Sequence, residues 1–271
     1  METVAQGDDL TRFKEAQKQG WAHFAPLEAH TTAPAARLVK HARIGGGARV
    51  LDVACGTGVV SITSALNGAR VTGLDLTPAL LERARENAAL AGADIEFKEG
   101  DAEQLPFDNA SFDVVVSQYG HIFAPRPEIA LGEMLRVLKP GGTIAFSTWP
   151  PELFVGRMFA LTARYVPAPP VAVAPPGSWG DPNVVRERLG DRVRDLVFDR
   201  DRMLVPALSV AHARTTFERT AGPVIKLVEA LSGVDPARLE AFRRECDALI
   251  REYVVDNQIR QDYLLTRATK N

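Results

Sequence analysis

Apolar residues recur along this chain in two alternating rhythms. Short, nearly continuous apolar runs occur at Val50-Leu51-Asp52-Val53, Arg70–Asp75, Ile95-Glu96-Phe97, Phe112–Ser117 and Thr143–Thr148. Runs of that length, bounded by glycine or proline, read as strands buried on both faces. Between them the apolar positions return every three or four residues. The segment after Thr77-Pro78 carries Leu80, Leu81, Ala84, Ala88 and Ala91, and Gly92 stops it. This is an N-cap, a first-turn proline, one apolar face and a C-terminal glycine. Val59 starts another helical pattern, and Pro127 opens one through Leu138 that ends at Lys139-Pro140-Gly141-Gly142. Strands alternating with helices predict a parallel, doubly wound α/β sheet with right-handed crossovers.

The flanks follow other patterns. A helix is predicted from Asp9 to Lys18, ended by Gly20, and a second from Thr32 and Pro34 through Leu38 and Val39, closed by Gly45-Gly46-Gly47. Residues 1–34 cannot form a core alone, so this arm is expected to pack over the main domain. After Trp149-Pro150-Pro151 the strand–helix rhythm breaks. Leu153–Tyr165 is an apolar helical stretch. Pro167, Pro169, Pro170, Pro175 and Pro176 then predict a stiff, extended connection to Trp179, and Asp181-Pro182 caps a short helix stopping at Gly190. Residues 151–194 read as an inserted lid or substrate-shaping segment, or as an insertion that simply covers the sheet. Leu196–Val205, with Phe198 and Met203, reads as a further strand. Ser209 starts a helix interrupted at Gly222-Pro223. Asp235-Pro236 caps a long helix with Leu239, Phe242, Cys246, Leu249, Ile250 and Tyr253 on one face. Ile259–Thr269 reads as the last strand. The whole of 1–271 is expected to be one domain.

Composition narrows the class. With 46% hydrophobic and 24% charged residues the chain is an ordinary globular protein, and a net charge of -2 supplies no field to recruit nucleic acid. Cys55 and Cys246 have no metal-ligand spacing and suggest a reducing compartment, Cys246 belonging to an apolar stripe. His23, His30 and His41 make no metal-binding pattern, so no metal is expected. The start of the chain lacks the basic and apolar regions of a signal peptide, and no run reaches transmembrane length. The expectation is a cytoplasmic protein, monomer or homodimer, without membrane or nucleic-acid partners.

The candidate chemistry gathers where strands end. Gly56 and Gly58 follow the first strand and precede a helix, an arrangement that lets a ligand approach the backbone and the open N–H groups of the helix. The third glycine of a dinucleotide fingerprint is absent. Asp52 is a charge within an apolar strand, costly to bury unpaired. It suits a cationic ligand better than a pyrophosphate, or else caps the glycine turn. Asp75 ends the second strand 19 residues after Gly56, where an acid bonds a ribose diol. Asp101 follows the third strand, where a carboxylate could accept from an exocyclic amino group. Three acids at successive strand ends beside a glycine turn point to an adenosine-type site.

Taken together these motifs resemble class I S-adenosylmethionine-dependent methyltransferases, most closely the branch that includes ubiquinone and menaquinone biosynthesis enzymes. Val50–Gly58 resembles the family's first motif and Leu74-Asp75 its ribose-binding acid. Gly100-Asp101-Ala102-Glu103-Gln104-Leu105-Pro106-Phe107 resembles the adenine-side motif, Phe112–Ser117 the fourth strand, and Arg136–Gly142 the turn before the fifth. The resemblance covers residues 35–150 and implies a mostly parallel seven-stranded sheet of the Rossmann-like methyltransferase fold, its last strand antiparallel. It implies S-adenosyl-L-methionine as cofactor. Asp52, Ala54, Gly56 and Gly58 would surround its methionine part, Asp75 and Leu76 the ribose and adenine, Asp101 and Ala102 the adenine edge, and Ser117 and Gln118 the boundary with the acceptor. Tyr119 and His121, just after strand 4, are the candidates for a general base, His121 alternatively being a structural histidine. Trp21, Phe24, Trp149, Phe154 and Met158 would line the pocket of a small, moderately hydrophobic acceptor, methylated by in-line displacement. Two other readings share these features: a nicotinamide-dependent oxidoreductase, disfavoured by Asp52 and the missing glycine, and a protein that binds the cofactor without catalysis. A nucleic-acid methyltransferase is disfavoured by the absence of an Asn-Pro-Pro-Tyr motif and of a basic stripe.

Overall fold

Val50, Leu51 and Val53 have no exposed surface, because their strand is paired on both edges and covered on both faces. The computed structural model describes residues 2–167 and 172–271, with side chains from residue 9 onward; Pro169 and Pro170, part of the expected stiff connection, lie outside the described residues. In chain order come α1 (Glu2–Trp21), α2 (Glu28–His41), β1 (Arg49–Val53), α3 (Val59–Leu66), β2 (Arg70–Asp75), α4 (Pro78–Ala91), β3 (Glu96–Glu99), β4 (Phe112–Gln118), α5 (Pro127–Val137) and β5 (Leu138–Thr148). The second half adds α6 (Phe154–Tyr165), α7 (Pro182–Leu189), β6 (Val193–Pro206), α8 (Val210–Thr220), α9 (Gly222–Leu231), α10 (Pro236–Arg251), β7 (Val254–Val255) and β8 (Gln258–Lys270).

Seven strands follow the order β3-β2-β1-β4-β5-β8-β6, and the short β7 pairs with β8 beside this path. β1 to β5 pair in parallel, while β8 runs antiparallel between β5 and β6. The order reverses between β1 and β4, so a crevice opens at the C-terminal ends of those two strands. The expected mostly parallel sheet with an antiparallel terminal strand is therefore present, and β7 makes an eighth strand that no sequence pattern announced.

Several local boundaries differ from expectation for physical reasons. α1 continues through Gly20 to Trp21. Its backbone packs closely on the start of α9: a Cβ on Gly222 would lie 2.9 Å from the Gly20 carbonyl oxygen, and a Cβ on Gly20 would lie 3.3 Å from Lys226 Cε. α2 begins at Glu28, so Thr32 is no cap; its hydroxyl donates back to the Glu28 carbonyl at 3.0 Å, and Pro34 lies inside the helix. Thr77 does not cap α4 with its side chain. Its backbone N–H instead donates to Asp75 Oδ1 at 2.8 Å. The Lys139–Gly142 turn is a bulge within β5. Leu138 pairs with Phe112 and Thr143 with Val114, so the register jumps across it. Asp113 holds this corner, accepting from the Arg49 backbone N–H at 2.8 Å and from Lys139 Nζ at 2.7 Å. α10 stops at Arg251, which leaves Tyr253 beyond the helix. The caps at Asp181, Ser209 and Asp235 do accept backbone N–H groups of their helices.

Candidate active site

Asp52 is 1% exposed. Ser61 Oγ donates to its Oδ2 at 2.6 Å, while Oδ1 is buried without a partner. Burial pushes its carboxyl up to about 7, and the nearby Asp75 adds to the rise. An ionised carboxylate so placed calls for a cation. β1 delivers it to the crevice, and the chain then turns through Ala54 (φ 55°), Gly56 (φ 55°) and Gly58 (φ 82°) into α3. Gly58 is the last residue before the helix and takes the left-handed conformation that a Cβ would strain.

Asp75 ties this turn to β2. Its Oδ2 accepts from the Gly56 N–H at 2.8 Å, and Oδ1 takes the Thr77 N–H already noted. Burial raises its carboxyl, with the two backbone donors opposing the rise. Beyond β3, Asp101 Oδ1 accepts from the Glu103 N–H at 2.9 Å, and Oδ2 pairs with Lys14 of α1 at 2.5 Å. Glu103, whose side chain is 1% exposed, sits behind it. It accepts from Lys14 Nζ at 2.5 Å and from the Arg126 backbone N–H and guanidinium at 2.6 to 2.9 Å. Arg136 braces the following loop by donating to the carbonyls of Leu105 and Phe107 at 2.9 and 2.7 Å.

A cavity of about 290 Å³ joins these groups to a second, apolar chamber. Of the residues that the sequence analysis singled out, Asp52, Ala54, Gly56, Asp75, Leu76, Asp101, Ala102 and Gln118 line it. So do Tyr119, Trp21, Phe24, Trp149, Phe154 and Met158. Gly58, Ser117 and His121 do not. Gly58 faces the Ala84 and Phe97 side chains. The Ser117 hydroxyl donates to the Val53 carbonyl at 2.7 Å and accepts from the His121 N–H at 3.1 Å, which braces β4 against β1.

His121 is the main correction. The 3-10 turn over His121–Phe123 carries its ring inward, 4.8 Å from both Phe146 and Trp179. Burial, with a contribution from Arg188, lowers its imidazole to about 3. Cut off from the cavity, it is no candidate base. Tyr119 reaches the cavity, where it stacks on Trp149 with ring centroids 4.0 Å apart, but burial raises its phenol well above the usual range.

The chamber also has walls that the sequence did not announce. Met203 and Val205 of β6, Phe217 of α8 and Val224 of α9 close the side opposite β1. Of the segment 151–194, α6 lines the cavity, whereas α7 packs away from it against β6 and the Trp179 turn. His30 of α2 faces the chamber too. A helix residue facing a cavity has the same periodicity as one facing the core, so only the weak signal of a histidine on an amphipathic helix could have singled it out. Among the described residues no group of three or more His, Cys, Asp or Glu side chains is placed to hold a metal ion, and no helix is long and apolar enough to cross a membrane. Both cysteines are free and buried.

With this geometry in view, likeness to known proteins is informative. A methyltransferase domain model matches residues 50–142, the stretch from β1 to the β5 bulge. An uncharacterized protein of Mycobacterium tuberculosis is 38% identical over 235 residues, 86% of this chain and 85% of its own. The demethylmenaquinone methyltransferase of Clavibacter sepedonicus is 44% identical over 124 residues, 44% of this chain and 49% of its own. In fold, a crystal structure of a putative methyltransferase from Bacillus halodurans superposes with a TM-score of 0.59 at 22% identity, over 88% of this chain and 99% of that one. The chain belongs to the class I S-adenosylmethionine-dependent methyltransferases. Structures of a Haemonchus contortus phosphoethanolamine N-methyltransferase, 17% identical with a TM-score of 0.55 over 88% of this chain and 52% of that one, are complexes with S-adenosylhomocysteine or S-adenosyl-L-methionine. The site suits that molecule: the unpartnered Asp52 oxygen answers a cationic ligand, and the acids at the ends of β2 and β3 answer hydroxyl and amino donors.

Proposed function

We propose that this protein transfers a methyl group to a small, largely apolar acceptor held in the chamber beyond Gln118 and Tyr119. One observation carries the reading. The charged side chains lining the cavity, among the described residues, are Lys14, Asp52, Asp75 and Asp101, around the ends of β1 to β3, while the lining from α6, α8, α9 and β6 is mainly aromatic and aliphatic, with Thr162 and Thr216 as its polar members and Gln261 of β8 beside it. The charged end suits a cationic, hydroxyl-bearing donor, and the apolar end excludes water from the reacting atoms.

Roles follow from chemistry. Asp52 and the Ala54–Gly56 turn hold the methionine part, Asp75 the ribose, and Asp101 with Ala102 the adenine edge. Bound there, the cofactor supplies an electrophilic methyl on a sulfonium. The chain itself supplies alignment, through Gln118 and Tyr119 at the boundary of the two ends, and dryness, through α1, α6, α8 and α9 over the chamber. The segment 151–194 contributes α6 to this cover. In-line displacement needs no covalent enzyme intermediate, so positioning is the main catalytic task.

Calorimetric titration tests the donor end. S-adenosylmethionine should bind the wild type, and Asp75→Ala should weaken it by at least tenfold, in line with loss of charge-assisted hydrogen bonds. Equal affinity in the variant would remove Asp75 from the site. Mass spectrometry of methylated products across uncharged aromatic and aliphatic acceptors tests the other end.

A further inference from the structure

Two titratable side chains on the apolar part of the cavity lack a hydrogen-bond or ion-pair partner among the described residues, the Tyr119 hydroxyl and the His30 ring. Burial holds the Tyr119 phenol protonated, which leaves the half-buried His30 as the group able to take a proton. Its backbone is set apart as well. Pro34, inside α2, has no N–H, so the His30 carbonyl lacks its helical partner.

Its neighbours on α2 fix where it stands. Glu28 Oε2 accepts from Asn87 Nδ2 at 2.9 Å, and the same Nδ2 reaches the Thr57 carbonyl at 3.1 Å, so this part of α2 is moored over the glycine turn. The Thr31 carbonyl accepts from Gln118 Nε2 at 2.8 Å, which moors it to the end of β4. His30 lies between these two anchors, where the donor end meets the acceptor chamber.

We infer that His30 is the general base of the reaction, and that the acceptor is an uncharged molecule with an acidic hydroxyl, a phenol or enol, on an apolar scaffold. This rests on the methyltransferase reading above. Charge selects the class. Among the described residues, no carboxylate lines the apolar end to hold an ammonium acceptor, and no unpaired cation lines it to hold a carboxylate. A hydroxyl meets neither obstacle, and an imidazole can take its proton. In the transfer, the acceptor oxygen forms a bond to the methyl carbon, the carbon–sulfur pair stays on sulfur, and the hydroxyl proton passes to His30, which later releases it to solvent.

The surroundings keep that imidazole neutral and available. Desolvation lowers its pKa below the usual range. Charged groups on the elements around α2 are engaged elsewhere: Arg83 of α4 with Glu28 and Glu86, and Asp199 and Asp201 of β6 with Arg37. Arg267 of β8 acts on His41. Within the cavity, Lys14 pairs with Asp101 and Glu103, Asp52 bonds Ser61, Asp75 bonds backbone N–H groups, and the Tyr119 phenol stays protonated.

The experiment uses the intact protein with 2-naphthol and 4-nitrophenol as probes. Wild type, His30→Gln and His30→Ala are compared by S-adenosylmethionine titration, by kcat/KM against pH, and by the imidazole proton resonance that His30→Gln removes. Cofactor affinity should stay within about twofold. Turnover of 2-naphthol at pH 7 should fall by about 10²–10³, as loss of a general base does. The residual rate should rise with pH as the probe ionises, the deficit should shrink for the more acidic 4-nitrophenol, and added imidazole should restore part of the rate in His30→Ala. In wild type loaded with S-adenosylhomocysteine, 2-naphthol should shift the His30 resonance. An unchanged pH profile in His30→Gln overturns the base. Cofactor binding without methylation of either probe overturns the acceptor class. Failure to bind cofactor at all would instead remove the methyltransferase reading.

Discussion

Gly120 is seated directly on Ala54: a Cβ at Gly120 would lie 2.5 Å from the Ala54 methyl and 2.7 Å from its carbonyl oxygen. Both follow the central strands whose ends open the crevice, and Ala54 and the neighbouring Tyr119 both hold positive φ angles of 55° and 61°. Strained backbone of this kind persists only where its surroundings hold it. Here the loop after β4 holds the loop after β1 in the shape that lines the cavity.

Gly120→Ala should therefore act on binding as well as on stability. Its own φ of -87° suits alanine, so the effect is steric rather than conformational. Overpacking of this severity costs about 2 kcal/mol, a drop in Tm of roughly 5 °C for a chain of this size. Cofactor affinity should fall by at least tenfold as Ala54 is displaced. Differential scanning calorimetry and titration calorimetry measure the two effects; a variant with wild-type affinity would show that the packing does not shape the donor end.

Asp52 couples the cofactor to pH. Its carboxyl titrates near 7 in the fold against an ordinary value of 3.8. A folded-state value raised above the unfolded one means that stability is greatest below the unfolded value and is lost as pH rises through about 7. Asp52→Asn should raise the Tm of the cofactor-free protein at pH 8 by several degrees and by less at pH 5. Cofactor binding to wild type at pH 7 should release a fraction of a proton, read from titrations in buffers of different ionisation enthalpy, and the release should vanish in Asp52→Asn.

His121 predicts the opposite dependence. Its imidazole is held at about 3 against an ordinary 6.5, so the fold keeps this contribution above 6.5 and loses it as pH falls towards 3. The loss runs at about 1.4 kcal/mol per pH unit for one proton. His121→Phe, which fits among Phe146 and Trp179, should flatten the acid limb of urea stability between pH 6 and 4 and leave the pH profile of turnover unchanged. A changed turnover profile would return His121 to the chemistry.

The charged end of the cavity was legible because its signals are local. Asp52 lies within a short apolar run, Asp75 ends one, and Gly56 and Asp101 follow one, and parallel pairing brings those run ends together whatever the loops do. The apolar part of the cavity was legible only in part. Trp21, Phe24, Phe154 and Met158 stood out as aromatic or large residues in the two segments outside the sheet rhythm. Met203, Phe217 and Val224 follow the same periodicities as core positions, and which face of α8 or α9 meets a cavity is decided by packing far along the chain. His121 misled for a related reason. Its place after β4 suggested the site, but the 3-10 turn there rotates its ring away. Glu103 was visible as part of a motif, whereas its partners Lys14 and Arg126 lie 89 and 23 residues away.

α1 leans on both ends of the cavity at once. Lys14 reaches Asp101 and Glu103 at the donor end, Gln17 donates to the Phe123 carbonyl at 3.0 Å, and Trp21 packs on Phe123 at 4.5 Å beside the chamber. Lys18 adds a pair with Glu99 at 2.5 Å, and Lys226 of α9 donates to the Ala16 carbonyl. One helix thus ties the charged and the apolar lining of the cavity together, so salt that screens its lysine pairs should loosen its hold on both at once.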